Sequence, residues 1–450
     1  MRKTLFALFI LLVVVLVSYL IWAKIFKSQI VHKKIITYNY SFLFENITSN
    51  HIPDITIPKH LKSQYQFLNL PINWNDRNSE KYRMVIYHAN KDYKHCSNLM
   101  LFVLGGPGDH ISYMRFLADK MFQCLGKKWD VVIFDQRGCG LSLFKLNGKL
   151  IDFKYLTMDQ AVGDIHALIK RERRTGVKRV VLGGGSSGAF LALKYAITHS
   201  NLIDMLYVDG GAASANFVNL SNELAVKKIS QRLKPTTITN VAKYYGIDKD
   251  LLFEYLWWQL ARDPMFQKPL WNNLKAKNNA GGQALKQHME NSIIISPFSK
   301  KTKLLNALVS LWRLYYIGAL ELIPKPAEQI KSEYSIFKPY NTILNRLVKK
   351  YHLKWSPFDY RSQLHKIRVK TLITDGLNDP MVPFRASKNI YKNIGSNKAI
   401  LLGFKNTGHG AIIIHMATIM SVIKLYLNNS KASVKERIIR NCAKGNILVF

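Results

Sequence analysis

A serine inside a glycine-rich turn is the residue of this sequence best suited to nucleophilic chemistry. Ser186 stands at the centre of the pattern Gly184-x-Ser186-x-Gly188, directly after the apolar run 180–182. A serine held on a sharp strand-to-helix turn needs small residues two positions before and after it, because larger ones would clash with the strand and the helix. The pattern predicts a nucleophile elbow, and the following helix N-terminus would supply donors for an oxyanion. Ser187 is a second candidate nucleophile, with less suitable flanking residues.

Candidates for the general base and for the acid that orients it lie downstream. His409 is flanked by Gly408 and Gly410, after the last predicted strand of the core. Two aspartates compete for the acid role, since Asp375 directly follows a predicted strand and Asp379 comes shortly after it. We expect Asp379 to hold the imidazole and Asp375 to be structural. The order serine, aspartate, histidine along the chain is that of one large class of serine hydrolases.

A second glycine-rich turn offers the remaining parts of such a site. The sequence Gly105-Gly106-Pro107-Gly108 follows the apolar run 99–104. We expect the backbone N–H groups of Gly106 and Ser187 to be the two oxyanion donors, because glycine lets the backbone approach a substrate closely. A triad with two donors is sufficient for acyl transfer through a covalent intermediate. The sequence therefore predicts no metal and no cofactor.

The elements that must position these residues alternate between strand and helix patterns. Apolar runs typical of strands covered on both faces are predicted at 99–104, 129–134, 180–182, 369–374 and 398–404, and an alternating pattern predicts an earlier strand at 81–88. Helical spacing is predicted over 159–174 and 411–427. This order predicts an α/β protein with a mostly parallel sheet flanked by helices. We interpret the charged pair Asp135 and Arg137, at the end of one strand, as scaffold.

Several blocks together resemble the proline iminopeptidase and tripeptidyl aminopeptidase group of serine peptidases, within the α/β-hydrolase superfamily. They are 70–74 (LPINW), 105–108 (GGPG), 135–140 (DQRGCG), the Ser186 elbow, 208–210 (VDG) and 376–383 (GLNDPMVP). The likeness covers roughly residues 65–215 and 365–425, and the conjunction is more specific than any one block. The resemblance implies an α/β-hydrolase fold, a triad of Ser186, Asp379 and His409, and cleavage of residues from peptide amino termini.

Residues 211–357 interrupt the strand pattern with helical segments that contain five of the eight tryptophans. We expect an inserted helical cap that excludes water and shapes the substrate pocket. In the resembling aminopeptidases, cap carboxylates hold the free amino group of the substrate. The nearest local likeness here is Trp258-Gln259, which has a neutral amide instead. This departure keeps two alternatives open, an esterase or lipase-like hydrolase acting near a membrane and a catalytically silent hydrolase fold used for binding.

These patterns divide the chain into four segments. We expect a membrane anchor at 1–35, the first part of the hydrolase core at 36–210, the cap at 211–357, and the second part of the core with a basic carboxyl-terminal tail at 358–450. The apolar run 5–23 is long enough to span a bilayer and shows no convincing cleavage site near its end. We expect a retained single-pass helix with the catalytic body on the extracytoplasmic side.

The charge balance indicates what the surface contacts. The formal net charge is +37, from 65 Lys and Arg against 28 Asp and Glu. No recognisable nucleic-acid module accompanies it, so we expect anionic lipid head groups rather than nucleic acid as a partner, besides a peptide or acyl-ester substrate. The four cysteines lack metal-ligand spacing, and in an oxidising compartment Cys96 and Cys124 would form a disulfide. The oligomeric state stays open.

Overall fold

The computed structural model of the protein describes residues 59–106, 108–217, 356–394, 399–441 and 446–450, together with isolated positions outside these ranges. The predicted anchor at 1–35 and most of the predicted cap at 211–357, including Trp258-Gln259, lie outside the described residues. The described residues fall mainly in the two predicted parts of the core, 36–210 and 358–450.

The described strands form a single sheet. They are β1 (Tyr65–Pro71), β2 (Lys81–His88), β3 (Asn98–Val103), β4 (Trp129–Phe134), β5 (Arg179–Gly185), β6 (Met205–Asp209), β7 (Lys370–Gly376), β8 (Ala399–Phe404) and β9 (Ile447–Val449). Their order in the sheet is β1-β2-β4-β3-β5-β6-β7-β8-β9. The strands from β3 to β8 are parallel to one another, whereas β1, β2 and β9 make antiparallel pairs at the two sides. The predicted mostly parallel sheet is confirmed.

Helices cover both faces of this sheet. Within the described ranges these are α1 (Ile111–Leu125), α2 (Met158–Arg174), α3 (Ser187–His199), α4 (Phe384–Asn393), α5 (Ala411–Asn428) and α6 (Lys431–Asn441). One hydrophobic core lies under α2, α3 and α4, and a second lies under α1, α5 and α6. Successive residues of β3 contribute to opposite cores, Leu101 to the first and Phe102 to the second. This two-sided burial explains why the central strands read as uninterrupted apolar runs.

Arg137 has a different partner from the one its sequence position suggested. We interpreted Asp135 and Arg137 as a charged pair, but the fully buried guanidinium makes a two-pronged ion pair with Asp164 of α2, at 2.7 and 2.6 Å. Tyr82 and Trp74 donate to the same carboxylate at 2.7 and 2.9 Å. The network joins the amino-terminal strands to α2, so the scaffold role holds while the pairing was wrong.

Asp135 instead supports the loops beside the predicted oxyanion turn. Its two carboxylate oxygens accept from the backbone N–H groups of Ile111 and Leu141, at 2.7 and 2.8 Å. Burial, only partly offset by these two bonds, raises the pKa of Asp135 to about 7. Asp135 therefore fixes the first residue of α1, the helix that follows Gly105-Gly106.

The expected disulfide between Cys96 and Cys124 was wrong, because both residues are free thiols. The Asn90 amide donates to the Cys96 sulfur at 3.0 Å. Burial, reinforced by the neighbouring Asp130 carboxylate, raises the pKa of this thiol to about 11. Cys96 is therefore a buried polar contact of the loop around residue 90.

Breaking the buried ion pair should be costly. We predict that Asp164→Asn lowers the free energy of unfolding by about 3–5 kcal/mol, because it leaves the buried Arg137 charge without its counter-charge. The exposed pair of Arg361 with Asp359 provides a matched control, and Asp359→Asn should cost less than about 1 kcal/mol. Denaturant unfolding of both variants measures the two values. Equal losses would contradict the role given to Asp164.

Candidate active site

The turn between β5 and α3 has the backbone geometry that its glycine spacing predicted. Ser186 has φ 53° and ψ −126°, a conformation that non-glycine residues rarely adopt. A Cβ on Gly184 would lie 2.3 Å from the Gly188 carbonyl oxygen, and a Cβ on Gly188 would lie 2.1 Å from the Val103 carbonyl oxygen. Both positions exclude side chains, so the pattern follows from how tightly the turn packs against β3.

The structure also separates the two candidate serines. Ser186 is partly exposed at the carboxyl edge of the sheet, directly before the first residue of α3. Its backbone N–H donates to the Asp209 carbonyl at 2.8 Å. Ser187 is the first residue of the helix, and its side chain is buried. Ser186 is therefore the better placed nucleophile, and Ser187 offers a helix N-terminal N–H that has no acceptor within its own helix.

Asp379 and His409 are in direct contact. The imidazole Nδ1 lies 2.6 Å from Asp379 Oδ2. The other oxygen of Asp379 accepts from the backbone N–H groups of Met381 and Val382, at 2.7 and 3.0 Å. Asp375 lies at the end of β7 and accepts from the Ser387 hydroxyl at 2.7 Å instead. The geometry therefore places Asp379, rather than Asp375, against the histidine.

The His409 side chain extends from the loop after β8 towards Gly210, near the centre of the sheet. A Cβ on Gly210, just past β6, would lie 3.2 Å from its Cε1 and 3.3 Å from its Nδ1. Gly210 follows Asp209, whose carbonyl accepts from the Ser186 N–H. Ser186 and His409 thus contact consecutive residues at the end of β6. This shared support brings the elbow and the Asp379–His409 pair to the same part of the sheet edge.

The loop after β3 packs directly on the elbow. A Cβ on Gly105 would lie 2.7 Å from the Gly185 carbonyl oxygen and 3.0 Å from Ser186 Cβ. Gly106 has φ 107°, a backbone conformation that favours glycine. The predicted donors Gly106 and Ser187 therefore lie on two turns that flank the Ser186 side chain.

Asp209 is a site residue that the sequence reasoning did not single out. It is buried at the end of β6, and its Oδ1 accepts from the Thr374 hydroxyl at 2.5 Å and from the Ile412 N–H at 3.2 Å. Burial, partly opposed by these bonds, raises the pKa of Asp209 to about 6. The carboxylate thus connects β6 by hydrogen bonds to β7 and to the first turn of α5, the helix that follows His409. The VDG block was the only sequence signal for it.

The electrostatics of the site favour a protonated histidine. Burial of His409 opposes its protonation, but the carboxylates of Asp379, Asp209 and Asp109 together outweigh this effect and raise the pKa of the imidazole above its usual 6.5. An imidazole with this pKa can take up a proton during a reaction and hold it as a cation. Across the described ranges, no three His, Cys, Asp or Glu side chains are grouped to hold a metal ion.

Comparisons with known proteins identify one matching family model and several similar proteins. Residues 98–246 match the family model for the alpha/beta hydrolase fold. A proline iminopeptidase from Pestalotiopsis fici is 25% identical over 328 residues, covering 72% of this chain and 88% of the relative. A proline iminopeptidase from Saccharolobus solfataricus is 23% identical over 345 residues, covering 76% and 89%. The crystal structure of the Mycobacterium smegmatis proline iminopeptidase aligns over 82% of this chain and 99% of that chain, with 12% identity and a TM-score of 0.43.

The described core is an α/β-hydrolase fold, as predicted, and its sheet is mixed, with antiparallel pairs at the two sides of the predicted parallel strands. The predicted resemblance to the proline iminopeptidase group is also confirmed, since curated relatives over most of the chain carry that name. Together these findings support a hydrolase.

Asp209 should affect the pH dependence of the reaction. A general base must be neutral, so activity falls as the pH drops through the pKa of His409. Asp209→Asn keeps an oxygen for Thr374 and Ile412 but removes one of the charges that raise this pKa. We predict that the acid limb of kcat/KM moves to lower pH, by about one unit or less.

Asp375→Asn is the matched control for this prediction. Asp375 is also buried at a neighbouring strand end, and burial, together with the Asp379 carboxylate, raises its pKa. Asp375 is not among the carboxylates that raise the pKa of His409, so the acid limb should stay in place. A loss of kcat/KM in Asp209→Asn without movement of the limb would contradict the electrostatic role.

Proposed function

We propose that the protein is a serine hydrolase that cleaves acyl bonds through Ser186, His409 and Asp379, with residues at peptide amino termini as its first substrate class. The observation that carries this proposal is the 2.6 Å contact between His409 Nδ1 and Asp379 Oδ2, beside a strained serine turn. In such an arrangement the nucleophile is activated by a base that a third group orients.

The proposed reaction has two halves. His409 Nε2 accepts the Ser186 hydroxyl proton while the Ser186 oxygen attacks the substrate carbonyl, and the N–H groups of Gly106 and Ser187 stabilise the oxyanion. His409 then donates the proton to the leaving amine or alcohol, which leaves an acyl-enzyme. His409 then takes a proton from a water molecule that attacks this ester, and it returns that proton to the Ser186 oxygen as the acid is released. Asp379 holds the imidazole in the tautomer with Nδ1 protonated and stabilises the cation throughout.

The choice of peptides over other acyl compounds is supported by the relatives named proline iminopeptidases. The second candidate is an esterase or lipase-like hydrolase, favoured by the neutral Gln259 where the resembling aminopeptidases have a carboxylate. A neutral amide would bind a substrate ammonium group less strongly than a carboxylate would. The two candidates share the triad and differ in the substrate pocket.

We further propose that the run 5–23 anchors the protein in a membrane, with the catalytic body on the extracytoplasmic side. Its length and apolar composition support this. Within the described residues, only Ala411–Asn428 is long and apolar enough to cross a bilayer. That helix is α5, and its buried side chains belong to the core between α1 and the sheet. We therefore assign α5 to the hydrolase core.

A substrate panel tests the function. The panel includes aminoacyl arylamides whose amino acid is proline or another residue, and we expect the purified protein to hydrolyse them. Ser186→Ala should lower kcat by about 10⁴-fold or more. Ser187→Ala is the matched control and should retain most activity, because its backbone N–H remains. Turnover of acyl esters without any arylamide cleavage would eliminate the peptidase. Equal loss in the two serine variants would contradict the assignment of Ser186.

A further inference from the structure

An open hollow of about 470 Å³ lies at the end of the sheet away from Ser186. Four cationic side chains line it, from Lys127, Lys128, Arg179 and Lys424. We call it the basic hollow. Arg179 is the first residue of β5 and Gly185 the last, so about 20 Å of strand separates the hollow from the elbow. It is therefore distinct from the proposed catalytic site.

The charges of the basic hollow are not balanced by the protein around it. Its lining contains no carboxylate, and none of the four cations forms an ion pair with another described residue. Lys424 Nζ donates to the Cys124 carbonyl at 2.9 Å, and Arg179 donates to the Asn428 side-chain oxygen. These neutral acceptors position two of the cations without neutralising them.

The C-termini of two helices beside the basic hollow offset only part of its positive charge. α1 ends at Leu125 and α5 at Asn428, so two helix C-termini point into the region. The α1 C-terminus contributes about half a negative charge. The α5 C-terminus offsets less than that, because Lys370 Nζ already donates to the carbonyls of its last residues. A surplus of about three positive charges remains in a small concave surface, where it attracts anions.

The hollow also lies at the edge where the amino-terminal segment joins the body. The short 3-10 helix Lys59–Gln64 leads into β1, and Gln64 Nε2 donates to the Ala89 carbonyl at 3.1 Å. Asn90, which follows Ala89 in the sequence, donates from Nδ2 to the Lys127 carbonyl at 3.2 Å. The start of the described chain, Lys59–Gln64, is thus close to Lys127. We propose that, with the run 5–23 as an anchor, this side of the body is the one turned towards the lipid head groups.

We propose that the basic hollow binds a phosphate group, supplied by the head group of an anionic phospholipid. Lysine and arginine donors complement phosphate oxygens, and the guanidinium can donate two parallel bonds. Leu125 and Leu427 in the lining offer apolar surface to the glycerol and upper acyl carbons of such a lipid. The orientation towards a membrane rests on the proposed anchoring, whereas the phosphate chemistry rests on the hollow alone.

Soluble ligands test this without a bilayer. The full chain, in neutral detergent, is titrated with dihexanoyl phosphatidic acid, with dihexanoyl phosphatidylcholine and with inorganic phosphate, and binding is followed by calorimetry. The test variant is Lys128→Gln with Arg179→Gln. The matched control is Lys392→Gln with Lys405→Gln, which removes the same charge from two exposed lysines elsewhere. Thermal unfolding of both variants verifies that they are folded.

We expect phosphatidic acid to bind more tightly than phosphatidylcholine. The test variant should lose about 30-fold in affinity and the control less than threefold, because each cation near an anionic lipid contributes about a factor of five. Inorganic phosphate that binds as tightly as phosphatidic acid, with the same loss in the test variant, would support the site and assign it to free phosphate. No binding, or equal losses in both variants, would overturn the proposal, and neither result depends on hydrolytic activity.

Discussion

The conformation of Ser186 depends on how closely the neighbouring backbone packs against its two flanking glycines, Gly184 and Gly188. No side chain fits at Gly184 or Gly188, because the Gly188 and Val103 carbonyl oxygens already occupy that space. A residue held in such a conformation costs about 1–3 kcal/mol and persists only where its surroundings fix it. Here the parallel pairing of β5 with β3 and the packing of α3 supply that support. The direction of the serine hydroxyl is therefore a property of the whole central sheet.

The end of β6 connects this turn to the rest of the proposed site. The Asp209 backbone accepts from Ser186, its carboxylate accepts from Thr374 and Ile412, and Gly210 lies beneath the imidazole of His409. One short segment thus contacts the nucleophile turn, β7 and the helix after the histidine. Movement of this segment would displace both the candidate nucleophile and the candidate base, which gives Asp209 a role in positioning as well as in electrostatics.

The sequence could predict what depends on local pattern. The elbow, the strands with uninterrupted apolar runs and the helices 159–174 and 411–427 follow from spacing over a few residues. The structure has these strands and helices within a residue or two, except that β5 continues three residues beyond the predicted run 180–182. Pairings between distant residues were not accessible in this way. Arg137 pairs with Asp164 and not with Asp135, and the Asp209 carboxylate accepts from the N–H of Ile412, which is 203 positions away in the sequence. The edge strand β9 and the free Cys96 likewise depend on tertiary neighbours that no local pattern specifies.

The central claim is that Ser186 becomes covalently acylated with the help of His409. Treatment of the folded protein with diisopropyl fluorophosphate, followed by intact mass measurement and peptide mapping, tests it without knowledge of the natural substrate. The account predicts one diisopropylphosphoryl group per chain, located on Ser186, with much slower labelling in His409→Gln. Labelling of Ser187 instead, or no labelling of a folded protein, would contradict it.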